Sequence, residues 1–166
     1  MTRPSPNASA WLWLSLLLVL ADQASKYWAV QALEYGQPVP VIEGFWNWRL
    51  VHNTGAAFSF LASAGGWQRW FFSLLALLVS AVMVRWLQRT PRHDWRTALP
   101  LALVVAGAVG NLIDRLRFGY VVDFVDWYYG SWHWPAFNLA DSAIVLGAAG
   151  LVLFSFRAAT PAGKGG

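Results

Sequence analysis

A chain of 166 residues that is 57% hydrophobic and only 12% charged lies far below the roughly 25% charged residues of soluble domains, which excludes an ordinary soluble enzyme. Its net charge of +4 does not indicate a nucleic-acid binder, because the basic residues fall in short segments between apolar runs and form no stripe. The absence of cysteine excludes disulfides, a thiolate metal site and a cysteine nucleophile.

Four segments are predicted to span a bilayer, each near the roughly 20 residues that cross about 30 Å of hydrocarbon. They run from about Ala10 to Val30, Trp67 to Leu87, Thr97 to Leu116 and Phe137 to Phe156. Many of the 12 Trp flank these runs, as expected of rings that prefer the headgroup zone. The first span resembles a cleavable signal segment, with the small residues "ADQAS" as a cleavage site, but Asp22 and Lys26 there and three further spans argue against removal. Arg89, Arg92 and Arg96 crowd the connection between spans two and three, Arg3 lies at the N-terminus, and Arg157 and Lys164 lie in the tail. The excess of Lys and Arg on cytoplasmic loops places these three segments inside. Residues 31–66 and 117–136 then face outward.

Those outward connections are rich in β-branched and aromatic residues and are punctuated by Pro and Gly, as in "QPVPVIEGFWNWRLVHNTGAAFSF" and "FGYVVDFVDWYYGSWHWPAF". Short strands with turns are expected from both, forming one small sheet on the outer membrane surface. The stretch "FLASAGGWQR" can hold a short interfacial helix, although its glycine pair weakens it. The expected fold is therefore a membrane α-helical protein of four transmembrane helices with a small β-sheet cradle, in a single domain spanning residues 1–166.

Polar residues within the spans converge at one depth. Asp22 and Lys26 lie in the outer half of span one at i,i+4, acid first, the favourable order. Gly107, Asn111 and Arg115 share one stripe of span three, with Asp114 alongside, and a glycine there permits close helix approach. Asn138 and Asp141 are three apart at the start of span four. Asn53 and Asp123 lie on the outward connections. Ionisable groups inside a membrane are functional candidates by default. Asp123, within the apolar run "YVVDFV", and Asp141 could share a proton if brought together, one acting as base towards water while the other polarises a carbonyl.

Plainer readings exist for each. Asp141 can be a carboxylate at a helix N-terminus stabilised by the dipole, and Asp123 a surface loop acid. Asp126 reads as a solvated rim residue, Asp22 with Lys26 as a pair orienting nearby backbone, and Asp114 as the local charge partner of Arg115 or an interface residue. Asn111 and Arg115 read either as helix-packing glue or as ligands of a polar headgroup, and Asn53 in "HNTG" as a turn former. Ser25 and Lys26 are adjacent on a helix and do not face each other, which disfavours a Ser–Lys nucleophile. His52, His93 and His133 are too scattered for a zinc motif.

Taken together, "DQASK" (22–26), "NTGAAFSF" (53–60), "GNLIDR" (110–115) with "VVDF" (121–124), and "FNLADS" (137–142) resemble the bacterial lipoprotein signal peptidases, or signal peptidase II, over roughly residues 11–157. The resemblance implies an aspartyl protease of the bacterial cytoplasmic membrane, with Asp123 and Asp141 as the catalytic pair. It implies that Asn53, Asn111, Arg115 and Asn138 line the site, and that Asp22 and Lys26 shape its floor and support the loop bearing Asn53. The implied substrate is a diacylglyceryl-modified prolipoprotein, cut just before the lipidated cysteine, and the implied inhibitor is globomycin. No cofactor, metal or nucleic acid is implied. Membrane lipids are the expected surroundings, and one chain is expected to hold a complete site and to act as a monomer. The rival reading is a proton-coupled transporter or channel subunit using the same carboxylates as a relay, against which stand inner span halves without a charged path.

Overall fold

The computed structural model describes residues 7–55 and 66–158. A 3-10 turn, Ala8–Trp11, leads into α1, Leu12–Ala32. Strands β1 (Pro38–Ile42) and β2 (Trp46–Asn53) follow, then α2 (Trp67–Arg89) and α3 (Trp95–Phe118). Strands β3 (Val121–Tyr129) and β4 (Trp132–His133) precede α4, Leu139–Ala158. The four long helices are long and apolar enough to cross a membrane, and they begin and end within a few residues of the spans expected from hydropathy. Trp13, Trp28, Trp67, Trp70, Trp86 and Trp95 are exposed near helix ends, where an interfacial belt would hold them.

Helix α3 is the hub: it packs against α1, α2 and α4, and two-thirds of its apolar window is buried, whereas most of each other span faces outward. Small residues make this possible. A Cβ at Gly107 would overlap the Ala140 backbone oxygen and lie 2.6 Å from Ile144, and one at Gly110 would lie 2.6 Å from Asp22 Oδ2. Along α4, Gly147 sits against Pro100 and Val104. The helices approach because side chains are missing at the contact, which suits a lipid solvent that gives no hydrophobic drive to associate. Outward-facing Leu16, Leu17, Leu20, Leu74, Leu78, Val145, Leu146 and Leu153 remain exposed.

The N-terminal turn is tied to the α2–α3 connection: the Ala8 N–H donates to Thr90 O at 2.9 Å, and Asn7 bridges to Pro91. These two segments therefore share one end of the bundle. The sheet occupies the other end. It is antiparallel, in the order β1-β2-β3-β4, so both long connections feed it as the sequence suggests. The β2–β3 register sets Asn53 opposite Val121 and Val51 opposite Asp123, with an irregularity between Trp48 and Val51. After β4 the chain doubles back. Phe137 exchanges hydrogen bonds with Val125, at 2.9 and 3.1 Å, which delivers the start of α4 to the flank of β3.

The suggested interfacial helix at 60–69 falls largely outside the described residues.

Candidate active site

Helix α4 begins with a reciprocal cap. Asn138 Oδ1 accepts the Asp141 N–H at 2.9 Å, and Asp141 Oδ2 accepts the Asn138 N–H at 3.3 Å. This is a capping box written with Asn and Asp, satisfying donors that a helix start otherwise leaves free. One Asp141 oxygen thus serves the helix. The other, Oδ1, accepts from Asn111 Nδ2 of α3 at 2.7 Å.

Asp123 projects from β3 and is 1% exposed. Its Oδ1 accepts from Asn138 Nδ2 at 2.7 Å, and its Oδ2 from Asn53 Nδ2 at 3.0 Å. Asn53 is also the turn former its type suggests, because its Oδ1 accepts the Gly55 N–H at 3.0 Å. Asn138, fully buried, therefore holds both carboxylates: its cap atoms engage Asp141 and its amide engages Asp123. The chain between residues 123 and 141 folds back far enough for the two acids to share one asparagine.

Below them lies an ionic floor. A lysine ammonium offers three donors and no acceptor, and Lys26 uses them on Asp22 Oδ2 at 2.9 Å, Asp114 Oδ2 at 2.9 Å and Asn111 Oδ1 at 3.0 Å. Holding the Asn111 oxygen leaves only its NH2 to face Asp141, so Lys26 dictates the orientation of that amide. Asp22 Oδ1 accepts the Ala140 N–H at 2.9 Å, and Asp114 Oδ2 accepts the Val122 N–H at 3.1 Å. Ser25 donates its hydroxyl to Asp22 O at 2.7 Å.

Burial drives the Asp123 carboxyl upward from 3.8 to about 7, reinforced by the negative charge of Asp141 and opposed by the hydrogen bonds from Asn53 and Asn138 and by the charge of Lys26. The two acids titrate as a pair. In linkage terms the folded chain holds this proton where the unfolded chain has lost it, so its stabilising effect is complete below about pH 3.8 and is lost as pH rises through about 7.

Arg115 Nη2 donates to Gly55 O at 3.3 Å, and the guanidinium lies 5.3 Å from the Phe72 ring centroid. It braces the turn that carries Asn53. Gly107 serves the α3–α4 contact described above. Among the described residues Asp22 and Lys26 bond to α3 and the start of α4, not to the turn at Asn53. Asp114 is an interface residue: it is 1% exposed and pairs with Lys26 across the α1–α3 contact, and its charge also acts on Arg115. Asp126 is no solvated rim residue. It is 2% exposed, accepts from Asn47 Nδ2 at 3.2 Å and pairs with His133 Nδ1 at 2.8 Å, because the β3–β4 hairpin folds His133 over it. Among the described residues no group of three or more His, Cys, Asp or Glu is placed to hold a metal ion.

Fold and site together define a multi-pass helical membrane protein with a buried acidic cluster between its helices and its sheet. The model of the family described as signal peptidase (SPase) II matches residues 14–157. A lipoprotein signal peptidase from Xylella fastidiosa (strain M12) is 58% identical over 156 residues, covering 93% of each chain. One from Xanthomonas euvesicatoria pv. vesicatoria (strain 85-10) is 59% identical over 152 residues, covering 92% of this chain and 88% of the relative. Among solved structures, a bacterial membrane enzyme determined by the in meso method at 2.3 Å resolution matches with a TM-score of 0.83 at 24% identity, covering 100% of this chain and 99% of that one. A second, at 1.9 Å resolution, matches with a TM-score of 0.74 at 26% identity, covering 95% of this chain and 99% of that one. The chain belongs to the signal peptidase II family and is a membrane-spanning peptidase.

Proposed function

We propose that this chain is an aspartic endopeptidase that removes the signal peptide from diacylglyceryl-modified prolipoproteins, cutting before the lipidated cysteine. The observation that carries the mechanism is that one buried asparagine, Asn138, bonds to both Asp123 and Asp141. Two carboxylates held this close do not both ionise cheaply, so the pair carries one proton near neutrality. The ionised member takes a proton from water as the water oxygen attacks the scissile carbonyl. The protonated member gives its proton to the carbonyl oxygen, forming a gem-diol. As the diol collapses and the C–N bond breaks, one diol hydroxyl returns its proton to the ionised acid, the leaving amine takes the proton held by the other acid, and the pair is left with the single proton it began with. Asn53 and Asn111 hold the outer oxygens of the two acids, and Arg115 steadies the Asn53 turn.

The whole chain acts as one integral membrane peptidase domain in the bacterial inner membrane. The Arg89, Arg92 and Arg96 connection and the tied N-terminal segment face the cytoplasm, and the sheet and acidic pair face the periplasm. There a substrate's acyl chains stay in lipid while its scissile bond meets limited water. One chain suffices, and globomycin-type inhibitors occupy the same place. Absence of a charged path through the inner halves of the spans disfavours the proton-relay alternative.

The decisive test uses purified protein with a prolipoprotein in lipidated and unlipidated forms. Cleavage before the cysteine of the lipidated form alone is expected. No cleavage of a substrate whose lipidation is verified by mass, or equal cleavage of both forms, would refute the reading.

The pH profile is a further expectation. kcat/KM should fall as pH rises through about 7, where the pair loses its shared proton. Asn53 donates to the ionised form, so Asn53→Ala should move this alkaline limb to higher pH. A limb that stays put or moves down would contradict the assignment of that hydrogen bond.

A further inference from the structure

Beyond the pair and its asparagines, two α1 and α3 side chains bear on where the carboxylates stand. The backbone N–H groups of Val122 and Ala140 each immediately precede one acid. Val122 donates to Asp114 and Ala140 to Asp22. The two accepting carboxylates are themselves joined twice. Lys26 bridges them at 2.9 Å on each side. Gln23 Nε2 bridges them again, at 2.9 Å to Asp114 Oδ1 and 3.2 Å to Asp22 Oδ2, with a further contact of 3.3 Å to Gly110 O. The strand carrying Asp123 and the helix carrying Asp141 thus hang from one clasp, and the clasp touches neither acid directly.

Resting on the reading of Asp123 and Asp141 as the catalytic pair, we infer that Asp114 and Gln23 are positioning residues that set the separation of the two acids through the Val122 and Ala140 N–H groups. Asp114 supplies two acceptor oxygens, one for Gln23 and one for Val122 and Lys26. An amide supplies only one and turns a donor towards the other partner. Gln23 supplies the only neutral link between the two acidic anchors among the described residues, and its loss leaves the Lys26 charges untouched.

The test compares wild type, Asp114→Asn and Gln23→Met in cleavage of a diacylglyceryl prolipoprotein across pH, with Asp123→Asn as control. Misplacing reacting groups by a fraction of an ångström to an ångström lowers turnover by up to about 100-fold. A fall in kcat of about 10-fold or more is expected for both variants, with KM changed by less than about threefold. The two limbs of the kcat profile should also move closer together, because wider-spaced acids are less coupled. Gln23→Met keeps every charge and carries the test if Asp114→Asn does not fold. Wild-type kcat in folded Gln23→Met overturns the inference. So does a lower kcat with unshifted limbs, which signals only a smaller active fraction. If the Asp123→Asn control cleaves at the wild-type rate, the pair itself is refuted and this inference falls with it. If the control is inactive while Gln23→Met matches wild type, the inference alone fails.

Discussion

Asp123→Asn and Asp141→Asn are each expected to lower kcat by about 10²–10⁴-fold, the range for loss of a general acid or base, with substrate binding largely retained. The double variant should be little worse than either single one, because groups that act as a unit are not additive in their removal. The two substitutions differ in structural cost. Asp141 Oδ2 closes the cap on α4, and an asparagine there keeps an oxygen able to accept the Asn138 N–H. It then turns its NH2 towards Asn111, donor against donor. At position 123 an asparagine oxygen satisfies either Asn53 or Asn138, not both. Circular dichroism and inhibitor binding should find both variants folded. Wild-type turnover in either one would remove that residue from the mechanism.

The second large effect is on stability. Lys26→Met is expected to destabilise the fold by about 3–5 kcal/mol, the cost of leaving buried charge unpaired. Two carboxylates, Asp22 and Asp114, would then face each other without a cation, and Asn111 would lose the contact that orients it. Thermal unfolding in detergent should show a large fall in Tm or failure to purify. Adding Asp22→Asn and Asp114→Asn to Lys26→Met should recover part of that loss, since the buried charge is gone. No recovery would mean that the ammonium acts by packing its stem and not by balancing charge.

Much of this architecture is legible in the chain because the membrane imposes strict rules. Apolar runs of the right length become helices, since a spanning segment must satisfy its own backbone hydrogen bonds. The polar groups at one depth follow from counting along those helices. That Asn138 and Asp141 share a face follows from their spacing. Two features resist such counting. Asp114 stands next to Arg115 in sequence but about 100° away around α3, and it turns towards α1. Gly110 and Asp114, at i and i+4, mark a second stripe beside the one through Gly107, Asn111 and Arg115, and that stripe is the one that meets Lys26. Asp126 sits in a strand with no clear alternation, buried at Val121–Phe124 on both faces. Its burial depends on the hairpin that folds His133 back, a non-local event with no local signature. Gln23 carries no local signature for a similar reason: an uncharged amide beside Asp22 looks like any solvated side chain until its partners on α3 are in place.

The capping box at α4 ties a local event to the chemistry. In most enzymes a frayed helix end is harmless. Here the first turn of α4 is held shut by one of the two acids, Asp141, and by Asn138, the asparagine that bonds both. A chain whose last helix has not yet wound and docked has no assembled pair, however well its other three helices have inserted. On the proposed reading of the pair, proteolytic competence requires α4 to be wound and docked against β3 and α3.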